Sequence, residues 1–241
     1  MSMDKTFEVH VTLPGARRGS TRKEDSMKVL DPGPDIVWLG HDTFKISAEK
    51  VIYTDPYQIS KADPADIILI THGHSDHCTA DDVAKISKPD TIIVAPAECA
   101  AKLRGYTIQV VRPGDKVTVE GITIEAVPAY NVNKFRSPGQ PFHPQANGKV
   151  GFVFTVGNQR IYHAGDTDLI PEMSSIACDI ALLPVSGTYV MTAEEAAQAA
   201  NLIKPRLAIP MHYGAIVGTV SDADTFKKLC RIPVTILDKG E

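Results

Sequence analysis

The sequence predicts a layered α/β protein built as a single domain. Short apolar strands come in runs, helices with recognisable start signals separate the runs, and no linker interrupts the chain after residue 33. The 241 residues are enough for one large domain with a substantial core. We expect residues 1–33 to form an N-terminal strand and arm that pack on a domain of residues 34–241.

The first half of the chain is predicted to alternate strands with two short helices. Apolar and polar residues alternate over 7–13, which indicates a half-buried strand. Thr79 can cap a helix over 81–86, and a helix over 98–103 ends before Gly105. The other strands of this half are expected at 35–40, 43–47, 50–54, 67–71, 91–94, 107–111, 116–119 and 122–128.

The second half follows the same rhythm, although no residues repeat. Gly157-Asn158 is a two-residue hairpin signal between two strands. The four residues that start at Thr192 have the spacing of a capping box, which opens an Ala-rich helix that ends near Ile203. The remaining elements are expected at 150–156, 159–163, 180–183, 207–210 and 233–237 for strands and at 222–230 for a helix.

The composition argues against several classes of protein. The net charge is −4, so no basic field attracts nucleic acid or an anionic membrane. No apolar run approaches the length of a membrane span, and the charged N-terminus lacks a signal-peptide core. The four cysteines are scattered and form no CxxC pair, which indicates reduced thiols. We expect a cytoplasmic protein that takes a small-molecule substrate and has no membrane or nucleic-acid partner. The sequence leaves the oligomeric state open, and a homo-oligomer is one alternative.

The most informative stretch runs from Thr71 to His77 and reads Thr-His-Gly-His-Ser-Asp-His. Four potential metal ligands, His72, His74, Asp76 and His77, fall within six residues. Imidazole and carboxylate together suit zinc and its neighbours in the transition series. Ligands this crowded cannot all reach one ion, so the spacing predicts two ions.

Two later polar residues share the position of this cluster at the end of an apolar strand. The cluster follows Ile67–Thr71, Asp166 follows the strand that ends near His163, and His212 follows Leu207–Pro210. Loops at one edge of a rigid sheet can converge on a single site. We therefore predict that both residues join the cluster, while a turn residue in the first case and a core histidine in the second are the structural alternatives.

The spacing also divides the ligands between the two ions. His72 and His74 are two residues apart, so on an extended segment they face the same way and can serve one ion. Asp76 and His77 lie beyond a tight turn and can serve a second ion. His212 would complete that second site. A carboxylate can bridge two cations, and Asp166 is the best candidate for that bridge.

Together with His163-Ala164-Gly165-Asp166-Thr167 and Met211-His212-Tyr213, the motif resembles the metallo-β-lactamase superfamily, and more narrowly its L-ascorbate-6-phosphate lactonase-like members and related metal-dependent hydrolases. The resemblance implies a four-layer αββα sandwich with a dinuclear metal centre at the upper edge of its two sheets. It assigns His72 and His74 to the first ion, Asp76, His77 and His212 to the second, and Asp166 to the bridge. It also implies that Asp55 orients a ligand histidine from behind.

The chain departs from this family at the first ion, which usually takes a third histidine from the loop after strand 122–128. Here residues 127–131 read Val-Pro-Ala-Tyr-Asn, with no histidine. Asn131 could occupy the position as a weaker ligand, or His143 from the following insertion could replace it. If neither coordinates well, one tight metal would remain. The expected cofactor is two zinc ions, with manganese, nickel or iron as alternatives.

Two further histidines are candidates for a role beside the ligands. The resemblance places the turn that holds His41 near the metal edge. His163 ends a strand that points at the site, where it could orient Asp166 or contact substrate. Both histidines have a structural alternative as satisfied core residues. With Asp76 and Asp166 they form the predicted catalytic set.

These residues predict hydrolysis of a small ester, lactone, amide or phosphodiester by metal-bound hydroxide. A dication lowers the pKa of bound water from about 15.7 to near 7, and Asp76 or Asp166 can hold the remaining proton. Lys134 and Arg136 could receive a phosphate or carboxylate. The alternatives are a nuclease or phosphodiesterase on the same scaffold, a non-catalytic metal-dependent sensor or ligand-binding protein, and a di-iron redox protein.

Overall fold

The computed structural model describes residues 33–60 and 62–240, which form two six-stranded sheets packed against each other. The predicted strand at 7–13 and nearly all of the predicted N-terminal arm lie outside the described residues.

The first sheet holds the six strands of the N-terminal half. They are β1 (Asp35–Gly40), β2 (Thr43–Ser47), β3 (Val51–Thr54), β4 (Ile67–Leu69), β5 (Ile92–Ala95) and β6 (Thr107–Val110). Their spatial order follows the chain from β1 to β6. The first three strands are antiparallel, and β3 to β6 run parallel. The parallel strands therefore bring their carboxyl ends to one edge of the sheet.

The second sheet repeats this arrangement with different residues. Its strands are β7 (Lys116–Val119), β8 (Ile122–Pro128), β11 (Val150–Val156), β12 (Gln159–His163), β13 (Ile180–Pro184) and β14 (Leu207–Met211), and a separate hairpin holds β9 (Phe135–Ser137) and β10 (Gln140–Pro141). The spatial order is β14-β13-β12-β11-β8-β7, with β12 to β14 parallel. Gly157 and Asn158 join β11 to β12 with φ of 53° and 60°, the left-handed pair that the predicted hairpin turn requires.

Helices cover the outer faces of both sheets. They are α1 (Ala80–Ile86), α2 (Ala97–Ala100), α3 (Ala193–Ile203) and α4 (Val220–Leu229), with 3-10 turns at Gln145–Asn147 and Pro171–Ser175. Thr79 precedes α1, but its hydroxyl donates to the Ser75 carbonyl instead of capping the helix. Within the described ranges, no helix is long and apolar enough to cross a bilayer.

The alternation of side chains along β4 shows how the layers are held together. Ile67 and Leu69 are fully buried in the core shared with the second sheet. Ile68 and Ile70 point to the opposite face and pack in the core that includes α1 and α2. The buried alanines of α3 belong to the core of the second sheet. The layers therefore run helix, sheet, sheet, helix, and the predicted αββα architecture is confirmed.

Two helix starts are set by capping boxes. Thr192 Oγ1 accepts the Glu195 N–H at 3.2 Å and the Glu195 carboxylate accepts the Thr192 N–H at 2.8 Å, as the spacing predicts. A second box between Thr219 and Asp222 starts α4 two residues before its predicted position.

The predicted strand at 233–237 does not form. This segment makes one isolated parallel bridge, between Val234 and Ala208 of β14. Pro233 has no N–H to donate to a longer ladder, so the pairing stops there. Helix α2 is also shorter than predicted and ends at Ala100.

Candidate metal centre

The predicted ligands meet at the edge where β4, β12 and β14 end. Three overlapping groups have ligand atoms that all lie within 4.8 Å of one another. The groups are His72, His74, His143 and Asp166; His41, Asp76, His77 and His212; and Asp42, His77, Asp166 and His212. Seven of the eight candidate metal ligands, all except Asn131, are thus brought to one place by loops from both sheets.

Asp166 stands between two sets of histidines and faces each with a different oxygen. Oδ1 lies 3.4 Å from Nε2 of His77 and 3.4 Å from Nε2 of His212. Oδ2 lies 3.3 Å from Nε2 of His143 and 3.8 Å from Nε2 of His72. The side chain is 4% exposed. This is the arrangement that a bridging carboxylate needs.

Asn131 holds His143 and does not face the cluster itself. Its Oδ1 accepts the backbone N–H of His143 at 2.8 Å and lies 2.9 Å from Nδ1 of that ring. Its Nδ2 donates to Asp168 and to the carbonyl of Tyr189. Both ends of the amide are engaged, so in this structure Asn131 positions the histidine that stands in the group, and its direct ligation of a metal stays a prediction.

The second set gathers around His77 and His212. Nε2 of His77 lies 3.6 Å from Oδ2 of Asp76, and the same oxygen lies 3.2 Å from Nε2 of His41. Sequence reasoning missed Asp42, which is fully buried and lies 3.9 Å from Nε2 of His212. The neighbouring His41 was a candidate. Both side chains are buried at the site, and the sequence of a turn does not show which of its residues point inward.

Each of four histidines in the cluster is held from behind by a polar partner. The contacts are His72 Nδ1 with Thr71 Oγ1 (3.0 Å), His77 Nδ1 with Asp55 Oδ2 (2.9 Å), His143 Nδ1 with Asn131 Oδ1 (2.9 Å) and His212 Nδ1 with Ser186 Oγ (2.9 Å). Partners of this kind select the tautomer and direct the other ring nitrogen to the site. Asp55 therefore lies where the resemblance implies.

His163 is a core residue in this structure. Its Nε2 lies 2.9 Å from the carbonyl oxygen of Asp42, and its Nδ1 accepts the N–H of Gly165 at 3.3 Å. Both ring nitrogens are used by backbone groups, and the side chain is fully buried. In this structure His163 ties the turn before β2 to the loop that carries Asp166, and its catalytic role stays a prediction.

Left-handed backbone conformations place several site residues. His41, Asp55 and His212 have φ of 50°, 38° and 60°. Residues other than glycine rarely adopt this backbone conformation, and such residues concentrate at functional sites. Gly165, with φ of 63°, precedes the bridging carboxylate, and a Cβ there would lie 3.0 Å from the carbonyl oxygen of Val150. Glycine is therefore required at this turn.

Burial and neighbouring charges divide the histidines of the cluster into two kinds. Burial lowers the pKa of His72 well below its ordinary value and that of His143 to about 3, so both rings are neutral and keep a lone pair at pH 7. Burial also opposes the charged forms of His77, His212 and Asp166. The attraction between these imidazolium and carboxylate charges is stronger than the effect of burial. The pKa of His77 therefore rises well above its ordinary value, and that of His212 rises to about 9. The pKa of Asp166 falls well below its ordinary value.

Unpaired buried atoms test whether a metal fits here. None of the following has a hydrogen-bond partner among the described residues: Nε2 of His72, His77, His143 and His212, Oδ1 of Asp166 and both oxygens of Asp42. Buried polar atoms are normally satisfied, and an exception calls for an explanation. All of these atoms belong to good ligands of transition metals and converge on one edge, so the residues fit divalent cations.

Two lysines near the site differ in their surroundings. Lys134 pairs with Glu195 at 2.7 Å and lies 3.6 Å from Asp168, so it anchors a loop and is not free for substrate. Lys149 was not predicted; it is 4% exposed and its Nζ lies 3.1 Å from Nε2 of His74. Burial lowers the pKa of Lys149 to about 8.

Comparison with known proteins decides the family. Residues 35–212 match the family model described as a beta-lactamase superfamily domain. The chain belongs to the metallo-β-lactamase superfamily. A UPF0173 metal-dependent hydrolase from Thermoplasma acidophilum is 37% identical over 211 residues, which cover 80% of this chain and 89% of that protein. Another from Methanopyrus kandleri is 33% identical over 229 residues, which cover 86% and 97%.

A solved structure supports the same assignment. A protein from Parabacteroides distasonis, provisionally named a metal-dependent hydrolase, superposes with a TM-score of 0.74 at 34% identity and covers 85% of this chain and 94% of its own. The predicted metallo-β-lactamase fold and the predicted class, a metal-dependent hydrolase, are confirmed.

Replacement of Asp55 by Asn should weaken metal binding about 10- to 100-fold. The Asp55 carboxylate accepts hydrogen bonds from Thr71, and its Oδ2 lies 2.9 Å from Nδ1 of His77. An amide can place its NH2 group at that position, so the His77 ring would lose its fixed tautomer. Metal titration by calorimetry measures the change. The matched control is Asp66→Asn, because Asp66 also accepts a backbone N–H but lies away from the cluster. Equal affinities in the two variants would contradict the role.

Proposed function

We propose that the chain hydrolyses a small ester, lactone or phosphodiester-type substrate at a dinuclear divalent-metal centre, with zinc as the expected metal. The observation that carries the proposal is the Asp166 carboxylate, which presents one oxygen to each of two sets of histidines whose facing nitrogens are unpaired. A cytoplasmic location and a small-molecule substrate remain part of the proposal.

Each side of Asp166 would hold one cation. The first would take His72, His74 and His143, which together supply the three imidazoles that a catalytic zinc site commonly uses. The second would take His77 and His212, with a carboxylate from Asp76. In this proposal His143 fills the gap that the loop over 127–131 leaves, which argues against the non-catalytic sensor.

When bound, divalent cations lower the pKa of a water molecule to about 7 and polarise the bond to be cleaved. The chain itself supplies the group that orients this water. Asp76 is partly exposed at 23%, so it can meet water and substrate. Burial opposes its charge, but the hydrogen bond with His41 holds the pKa of Asp76 well below its usual range. As an anion, Asp76 can accept a hydrogen bond from the attacking water and orient it.

A substrate panel tests this function. Purified protein loaded with zinc or manganese is assayed on a lactone, an aryl ester, a phosphodiester and a β-lactam. We expect turnover of at least one, loss of turnover on chelation and recovery when the metal is restored. Tight metal binding with no turnover of any substrate would favour the non-catalytic alternative.

Metal removal should also destabilise the fold. The centre buries carboxylates and unpaired nitrogens that a cation would satisfy. At a free metal concentration about 100 times the dissociation constant, binding adds about 2.7 kcal/mol, which corresponds to roughly 5–11 °C in Tm for a domain of this size. Thermal unfolding with and without a chelator measures the shift. Calcium, a poor match for imidazole ligands, serves as the control, and an equal shift with calcium would contradict the site.

A further inference from the structure

His143 is buried, although the segment that carries it is not. In the insertion between β8 and β11, His143 is the one buried residue from position 132 to position 148. The hairpin of β9 and β10 in the middle of the insertion is exposed or half-buried throughout. The Phe142 ring meets that of Tyr189 at 4.7 Å between centroids, but both rings are partly exposed. Apolar packing therefore does little to fix the His143 ring, and hydrogen bonds must do so.

Asn131 and His143 are joined by three contacts. The Asn131 N–H donates to the carbonyl of His143 at 2.9 Å, and Asn131 Oδ1 accepts the N–H of His143 at 2.8 Å. The same Oδ1 lies 2.9 Å from Nδ1 of the His143 ring, whose Nε2 lies 3.3 Å from Oδ2 of Asp166. The two residues therefore move together, and whatever fixes Asn131 also fixes the ring.

Asp168 fixes Asn131 and the three residues that follow it. The Asp168 side chain is fully buried, and its Oδ1 accepts a hydrogen bond from Nδ2 of Asn131 at 2.9 Å. Its Oδ2 accepts three consecutive backbone N–H groups, those of Val132 (2.7 Å), Asn133 (2.8 Å) and Lys134 (3.3 Å). The Lys134 ammonium pairs with Glu195 and lies 3.6 Å from Oδ1 of Asp168. A carboxylate accepts on both oxygens and donates nothing, so it matches this row of donors.

The loop that holds the insertion also carries the bridging carboxylate. Asp168 lies two residues after Asp166, and its own N–H donates to the carbonyl of Tyr130 at 2.9 Å. Between the two carboxylates, Thr167 Oγ1 accepts the N–H of Tyr130 at 3.2 Å. The loop therefore presents one carboxylate to the centre and uses the other to hold the segment that delivers His143.

We propose that Asp168 is a positioning residue for the first metal site: through Asn131 it holds the His143 ring at the centre, and it contacts neither metal nor substrate itself. The inference rests on the proposed dinuclear centre and deepens it, because it names the group that keeps the third imidazole of the first site in place.

Chemical modification of metal-free protein tests this role. Diethyl pyrocarbonate modifies accessible imidazoles, and mass spectrometry of the peptides follows His143 and His72 separately; both are 1% exposed. Asp168→Asn keeps the shape of the side chain but sets an NH2 group against the donors of the insertion. We expect the modification rate of His143 to rise about tenfold or more while that of His72 stays unchanged.

The matched control is Asp82→Asn. Asp82 is also buried, accepts the backbone N–H groups of Gln58 and Ile59, and pairs with Lys85. This variant removes the same kind of contact without touching the insertion, so His143 should stay protected from modification.

A second variant breaks the same link from the other side. Asn131→Asp keeps an oxygen that accepts from His143 but loses the NH2 group that donates to Asp168. It should raise the modification rate of His143 as Asp168→Asn does, and it decides the question if Asp168→Asn does not fold.

Zinc titration by calorimetry separates positioning from a general effect on the fold. Asp168→Asn should weaken binding at the first site about 10- to 100-fold. It should cause no further loss in a His143→Ala background, because the ring through which it acts is then absent. Equal losses in both backgrounds, or a His143 modification rate that stays unchanged in the folded variants, would overturn the proposal. If wild-type protein binds no zinc, the proposed metal centre fails, and the modification rates still decide whether Asp168 holds His143.

Discussion

Replacement of Asp166 by Asn is expected to reduce metal-dependent hydrolysis by at least about a thousandfold, or about 4 kcal/mol. The carboxylate faces His77 and His212 with one oxygen and His72 and His143 with the other, so it is the one side chain that both proposed cations share. An amide is neutral and offers a single acceptor oxygen. Both metal affinity and turnover should therefore fall together.

The fold should survive this substitution. In metal-free protein the variant keeps the shape of the side chain but leaves His77 and His212 without the anion that they face, so its Tm should fall while unfolding stays cooperative. Metal content by mass spectrometry and initial rates are compared with Asp224→Asn, an exposed position on α4. Wild-type turnover in a folded Asp166→Asn variant would refute the bridging role.

Replacement of His143 by Ala is expected to change the number of bound metals from two to one and to lower the hydrolytic rate about 100-fold or more. His143 is 1% exposed, and its Nε2 has no hydrogen-bond partner among the described residues. Its pKa of about 3 keeps the ring neutral throughout the physiological pH range. Without it, the first site would keep two imidazoles and an oxygen of Asp166.

Two further variants locate the cause of that loss. Asn131→Ala should lower first-site metal affinity about 10- to 100-fold, because it removes the oxygen that holds His143 without removing a ligand. His163→Ala should lower Tm but keep two metals, because its nitrogens contact only backbone. Calorimetric metal titration measures the affinity, thermal unfolding measures the Tm, and anomalous scattering counts the metals in each variant. Two fully loaded sites in His143→Ala would show that the insertion does not supply the third ligand.

Local chemistry made most of the fold predictable. Buried strands such as Ile67–Leu69 are apolar on both faces, and the hairpin at Gly157-Asn158 and the capping box at Thr192 are formed by neighbouring residues alone. Prediction failed where a local signal was weak or had to be completed from a distance. The hairpin of β9 and β10 lies in an insertion without an apolar pattern, and the segment at 233–237 has strand-like residues but makes a single bridge.

The site shows the same division. The ligand types and their place at strand ends are visible in the chain, because parallel strands with adjacent carboxyl ends bring their loops together. The fate of individual residues depends on contacts between segments far apart in sequence. His163 is satisfied by the carbonyl of Asp42, which is 121 residues away, and Lys149 meets His74 from 75 residues away. Periodicity and spacing carry no information about such pairs.

The sequence by itself determined the superfamily, the αββα layers and the imidazoles and carboxylates that can hold metal, because these follow from short-range patterns. Only the tertiary structure placed His143 rather than Asn131 among the ligand atoms, put His163 in the core and brought Asp42 and Lys149 to the site. The physical reason is that a buried polar atom must find its partner wherever the folded chain places one, and that partner is chosen by packing rather than by distance along the sequence.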